Sequence, residues 1–426
     1  MLNQRYIELL VTLIVTLLLL NCGKKSGSDK ITLKLVHWYG NQRDLWQREV
    51  VETYEKEHPN IKIELETIPF QMYYSKILAA TASGAHIGDV VAVDDWFAQE
   101  LFKRNFTTDL QPFFNRDLKV ESFYTTMLDG WRWKGNLMAF PTSGGVTVLF
   151  YNKDLFDAAG VTYPDSTWTY DDLLAAAKKL TKDTDGDGRI DQWGFLVDDG
   201  TYTALDTQIY SLGGHTLSPE LSRCELESPE SIEALQFLVD MVNKQKISPP
   251  PLPQQALSQE FMSGKYAMIM MGDFAKLSFK DTPFRWDIAM PPKGTGGRHS
   301  IRFGNAFCIP TTSQHKDEAW KLLKWIITFP GKEKIDELFY TMMPAYKPLA
   351  TSKEWLNGVP RCNRAIIPEL YEKYSLSIMT PGWLEWREHG LIPEMQNAFA
   401  LRKTVREAAR DASREINEVL RNQMNP

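Results

Sequence analysis

Several stretches set aromatic rings beside short polar side chains, a pairing that grips a flat ligand with apolar faces and a hydroxyl rim. Trp38-Tyr39-Gly40-Asn41 directly follows one apolar-alternating run, and Asp94-Asp95-Trp96 follows another. The rings would cover C–H faces while carboxylates and amides bond the rim. A buried hydroxyl left unpaired costs about 1–3 kcal/mol, which is the source of selectivity. Gly272-Asp273-Phe274 and Phe303-Gly304-Asn305 repeat the pairing, and Trp383-Leu384-Glu385-Trp386-Arg387 is denser still. Aromatic residues at i and i+3 are also what helix packing produces, so Trp383 and Trp386 have a core reading too. In Ser143-Gly144-Gly145, small residues would let a ligand approach the backbone, or simply let the chain hinge.

A second chemistry is available at Asp183-Thr184-Asp185-Gly186-Asp187-Gly188-Arg189-Ile190-Asp191. Asp183, Asp185, Asp187 and Asp191, with Gly188 at the sharp turn, match the start of an EF-hand calcium loop. Gly194 stands where that loop needs its closing Glu, and a bare Asp/Gly turn is the alternative. Acid–base cleavage by paired carboxylates, Asp94/Asp95 or Glu385/Glu388, is a third option. Neighbours on a strand face opposite ways, so Asp94 and Asp95 pair poorly unless the chain turns there. The chain has no G-x-S-x-G, H-E-x-x-H, P-loop or Rossmann glycine pattern.

The elements that would position these residues alternate. Ile31–His37 reads as a strand, 44–58 as a helix stopped by Pro59, 61–68 as a strand, 73–83 as a helix and 89–93 as a short buried strand. After Pro141 the pattern restarts with a strand at 146–151 and a helix at 170–181 capped near Thr169 or Ser166. Strands at 264–271 and 285–290 follow, then helices at 316–329 and 394–421. Strands alternating with helices imply an α/β protein. About 400 residues after processing exceed one hydrophobic core, so two lobes are expected.

Composition narrows the function. At 43% hydrophobic and 24% charged the chain is globular, and a net charge of −6 without a basic block argues against nucleic acid. Thirteen tryptophans exceed what a core needs and fit a stacking surface. The N-terminus combines Arg5, the apolar run Leu9–Leu20 and Asn21-Cys22. At about 12 residues that run is too short to span a ~30 Å bilayer core, and the layout is that of a secretory signal. Leu19-Leu20-Asn21-Cys22 resembles a bacterial lipobox, which implies a signal peptide over 1–21, lipid on Cys22 and a tether over 22–30. Cys224, Cys308 and Cys362 then remain, allowing at most one disulfide.

The order of motifs resembles the family 1 extracellular solute-binding proteins, the sugar-binding components of ABC importers. The resemblance rests on Phe140-Pro141, Leu149-Phe150-Tyr151-Asn152-Lys153-Asp154-Leu155-Phe156, Ala159-Gly160 and Pro164 to Trp168. Gly88-Asp89-Val90-Val91, the run Phe261 to Gly272, and Lys316 to Lys324 extend it. It implies a two-lobed α/β periplasmic-binding-protein fold with an interlobe ligand cleft and several crossover strands. Lobe one would be 31–143 and 289–328; lobe two would be 146–287 and 330–426. It implies ligand contacts at Trp38, Tyr39, Asn41, Asp94, Asp95 and Trp96; the residue patterns above add Gly145, Asp273, Phe274, Asn305, Trp383 and Trp386. The implied function is monomeric capture of a sugar or oligosaccharide outside the cytoplasmic membrane, and delivery to an ABC permease and its ATPase. No cofactor is required, although structural calcium is open. The alternatives are a surface glycoside-processing enzyme, or a binder of a polyol, glycerol phosphodiester or polyamine.

Overall fold

A computed structural model describes residues 30–38, 43–200, 203–252, 254–328 and 342–424. Cys22 with its signal and tether, Tyr39 and Asn41 lie outside the described residues. Among the described residues, apart from a small two-stranded pair at 132–137, the main sheet is continuous and has nine strands. In chain order they are β1 (Ile31–His37), β2 (Ile61–Thr67), β3 (Val90–Asp94), β4 (Phe140–Asn152), β5 (Met268–Gly272), β6 (Trp286–Ala289), β7 (Ser300–Cys308), β8 (Met343–Pro344) and β9 (Ser375–Leu376). The helices used below are α1 (Phe70–Ser83), α2 (Asp95–Lys103), α3 (Ala204–Ser211), α4 (Pro229–Asn243), α5 (Ile392–Phe399) and α6 (Val405–Met424). Among the described residues no helix is long and apolar enough to cross a membrane.

β1 pairs in parallel with β2 and β3, the outcome expected when each strand returns through a helix. β7 then runs antiparallel to β3, and β4 antiparallel to β7. β4 carries the architecture. Its first half pairs with β7, whereas its second half lies between β5 and β6, as in Val148↔Met271 and Phe150↔Ile288. All 13 residues of β4 are buried. Its alternation feeds two cores: Val146, Val148 and Phe150 join the one built on β1–β3, while Leu149 and Tyr151 join the other with Leu173, Leu205, Leu235 and Trp386. The expected strand at 146–151 is thus the second half of a longer crossing element.

β7 is the second crossing. Before it the Lys293 N–H bonds Trp168 O at 2.8 Å, and at its start the Ile301 N–H bonds Thr207 Oγ1 at 2.9 Å, so residues 293–301 pack beside the second core. From Asn305 onward the strand pairs with β3. The segment after β8 packs back on Phe123, whose ring lies 5.5 Å from Tyr346.

Local signals explain most helix ends. Thr169 and Asp172 form a reciprocal capping box, and Ser228 caps α4 through the Ser231 N–H. The expected helix 394–421 is instead two helices. The Thr404 hydroxyl accepts the Glu407 N–H at 3.3 Å while Glu407 accepts the Thr404 N–H at 2.9 Å, which starts a new helix. Leu401, at φ 56°, supplies the reversal before it.

Candidate functional site

The Asp94-Asp95-Trp96 triplet sits where β3 ends and α2 begins. The chain turns there, so the three side chains diverge from strand alternation. Trp96 Nε1 donates to Asp94 Oδ2 at 3.2 Å, and the Asp94 N–H donates to Tyr74 Oη at 3.2 Å. Asp94 stands opposite Asn305 in the β3–β7 pairing. Burial raises its carboxyl from 3.8 to about 7, against the lowering hydrogen bonds of Tyr74 and Trp96. Asp95 is also raised, first by burial and then by the Asp94 charge, while the Trp96 and Gly304 N–H groups and the Arg302 guanidinium oppose the shift.

An aromatic wall flanks these carboxylates. The Tyr74 ring lies 4.6 Å from Trp96 and 6.1 Å from Trp38, and Trp38 meets Phe70 edge-on at 6.0 Å. Phe70 is 44% exposed and Met72 64%, so the wall opens to solvent on the α1 side. Sequence patterning singled out Trp38 and Trp96 but missed Phe70 and Tyr74. Phe70 opens α1 and Tyr74 lies within it, so neither directly follows a strand, the pattern that marked the other sites.

Across from this wall, an enclosed cavity of about 30 Å³ is lined by Asp95, Gln99, Arg302, Phe303, Tyr371 and Met379. That is about the space of one water, so α2 and the segment around Met379 are close together in this conformation. A wider pocket of about 250 Å³ shares Gln99 and Met379 with it and adds Glu220, Thr380 and Gln423. Arg302 and Tyr371 are the other residues that patterning missed. A lone Arg within a strand and a Tyr in a tail helix carry no spacing signal.

Gly145 and Asp273 belong to the crossing itself. Asp273 Oδ1 accepts the Val146 N–H at 3.1 Å, and Oδ2 accepts from Lys276 Nζ at 2.5 Å, with both charged side chains fully buried. A Cβ on Gly145 would fall 2.2 Å from Phe303 Cε2 and 2.5 Å from Asp273 Oδ1. Phe303 and Asp273 therefore occupy the space next to that backbone, where ligand approach was expected. Phe274 packs edge-on against Phe303 at 5.4 Å.

Trp383 and Trp386 are 3% and 0% exposed, in the second core. Arg387 lies over both rings, at 4.9 and 5.5 Å, and its Nη1 donates to Asp206 Oδ2 at 2.6 Å. Asp206 Oδ1 also accepts from Thr216 at 2.6 Å. The tail motif thus builds a buried Arg387–Asp206 ion pair whose guanidinium lies against two nearly perpendicular indoles. This is the core reading of its i, i+3 spacing, in place of an open binding surface.

In the acidic loop, oxygens of Asp183, Asp185 and Asp187 lie within 4.8 Å of one another, all exposed. Asp191 turns away and accepts from Thr184 N and Oγ1 at 3.0 and 2.7 Å. Three of the four expected carboxylates therefore converge, and the Gly186 and Gly188 N–H groups hold Asp183 below its ordinary range. Cys224, Cys308 and Cys362 are free thiols, and burial pushes Cys224 and Cys362 up to about 11.

Comparison with known proteins agrees with this architecture. The family model described as bacterial extracellular solute-binding protein matches residues 39–332. A putative binding protein of Brucella abortus is 23% identical over 384 residues, covering 87% of this chain and 88% of its own. The arabinooligosaccharide-binding protein of Bacillus subtilis is 26% identical over 332 residues, 74% of each chain. An ABC substrate-binding protein of Listeria monocytogenes, solved in complex with cycloalternan, superposes with a TM-score of 0.77 at 25% identity, over 92% of this chain and 99% of that one. The fold is the two-lobed α/β fold of periplasmic binding proteins, with β4 and β7 as crossing strands. The chain belongs to the bacterial extracellular solute-binding protein family.

Proposed function

We propose that this protein captures a sugar or oligosaccharide between its lobes and hands it to an ABC import permease driven by a separate ATPase. The observation that carries the reading is the wall of Trp38, Tyr74 and Trp96 around Asp94 at the end of β3. Rings for C–H faces stand there beside acceptors for hydroxyls. Lobe one is 30–143 with 305–328, and lobe two is 146–301 with 375–424, a division that moves the return to lobe one from residue 289 to the middle of β7. Asp95 and Asn305 complete its polar side. Lipid on Cys22, after removal of 1–21, would hold the protein outside the cytoplasmic membrane, near its permease. A calcium ion on Asp183, Asp185 and Asp187 would be structural, and calorimetric titration with calcium tests it.

Thermal unfolding of the soluble body against saccharides, polyols and polyamines tests the reading. A ligand at about 100 times its dissociation constant should add about 2.7 kcal/mol. A saturable rise for saccharides, with the saccharide recovered intact, supports capture. Rises for polyamines or polyols alone would transfer the site to those solutes, and breakdown of the saccharide would point to an enzyme.

A further inference from the structure

Helix α2 carries Asp95 and Trp96 in its first turn and Lys103 at its last residue. Lys103 Nζ donates to the backbone carbonyl of Gln423 at 2.8 Å and to its side-chain oxygen at 3.4 Å. Gln423 is in the last turn of α6, where the terminal carbonyls lack partners within the helix. The ammonium thus sits at the negative end of α6. Gln423 Nε2 continues the link to Glu385 Oε2 at 3.3 Å. Close approach is possible because Gly382 has φ 72°, and a Cβ there would come within 2.9 Å of both Gln423 Cγ and Val419 Cγ1. α2 packs on β3 and β7, whereas α6 packs on α4 and α5, so the contact joins the two cores. It lies beside the pocket that Gln99, one helical turn before Lys103, shares with Gln423.

We propose that Lys103 is a positioning residue for capture: its bond to the end of α6 latches the lobes closed without touching ligand. This rests on the interlobe capture reading above. A contact made only when the lobes meet shifts the open–closed balance, whereas one present in both states shifts nothing. A charge-assisted bond, discounted because Lys103 is half-buried, corresponds to about a fivefold change in that balance.

Solution X-ray scattering on the unliganded protein tests the latch. Lys103→Met keeps the aliphatic stem and removes the donor. It should increase the radius of gyration over wild type while the melting temperature holds, and Lys103→Arg should restore the wild-type radius. Equal radii for wild type and Lys103→Met would overturn the latch, as would a Met variant whose only change is a lower melting temperature. A saccharide panel that binds nowhere would count against the capture reading instead, and the unliganded radii would still decide the latch.

Discussion

Asp94 and Asn305, 211 residues apart in the chain, face each other across the β3–β7 pairing. The first is the last residue of β3, and the second is where β7 begins to pair with it. One polar surface is thereby shared between a lobe wall and a crossing strand.

The contribution of Asp94 and Asp198 to stability should fall as pH rises from about 4 to 7, against an opposite contribution from buried His37, which burial lowers to about 3. Asp94 and Asp198 are both raised to about 7 by burial, from 3.8. In that window the native state holds protons that the unfolded chain has lost, so the unfolded state gains relative stability with each step upward. Urea unfolding at pH 5 and pH 8 checks this, and Asp94→Asn should flatten the fall. A fall as steep in the variant as in wild type would remove Asp94 from the account.

Arg387→Met should destabilise the protein by about 3–5 kcal/mol, because it removes the ionic partner of the buried Asp206 carboxyl and leaves only its hydrogen bond from Thr216. Adding Asp206→Asn should recover part of the loss. Denaturant unfolding of the single and double variants measures both.

Gly145→Ala should cost about 1–3 kcal/mol by overpacking against Phe303. Phe303→Leu in the same chain should relieve it. If Gly145 instead served ligand approach, unfolding would be unchanged and only ligand affinity would drop.

β1 and β2 were legible from their period-two apolar alternation, and β3 from its short continuous apolar run. β7 was not, because Ser300 to Cys308 mixes Arg302, Gly304 and Asn305 into a strand buried by partners on both sides. The break at Leu401 was hidden by continuous helix-forming composition, although Thr404-x-x-Glu407 marked it. Within the site, residues beside strand ends could be found from local order, since β3 delivers Asp94 to its place directly. Phe70, Tyr74, Arg302 and Tyr371 arrive through tertiary packing, which spacing does not encode. Trp383 and Trp386 show the reverse: a dense aromatic motif whose rings are used to bury Arg387.

The most direct test is calorimetric titration of wild type and Trp96→Ala with linear and cyclic oligosaccharides. The account predicts saturable one-to-one binding of at least one saccharide to wild type. It also predicts an affinity loss of about 2 kcal/mol, roughly thirtyfold, when the Trp96 ring is removed. Equal affinity in the two proteins, or no saccharide bound by wild type, would contradict it.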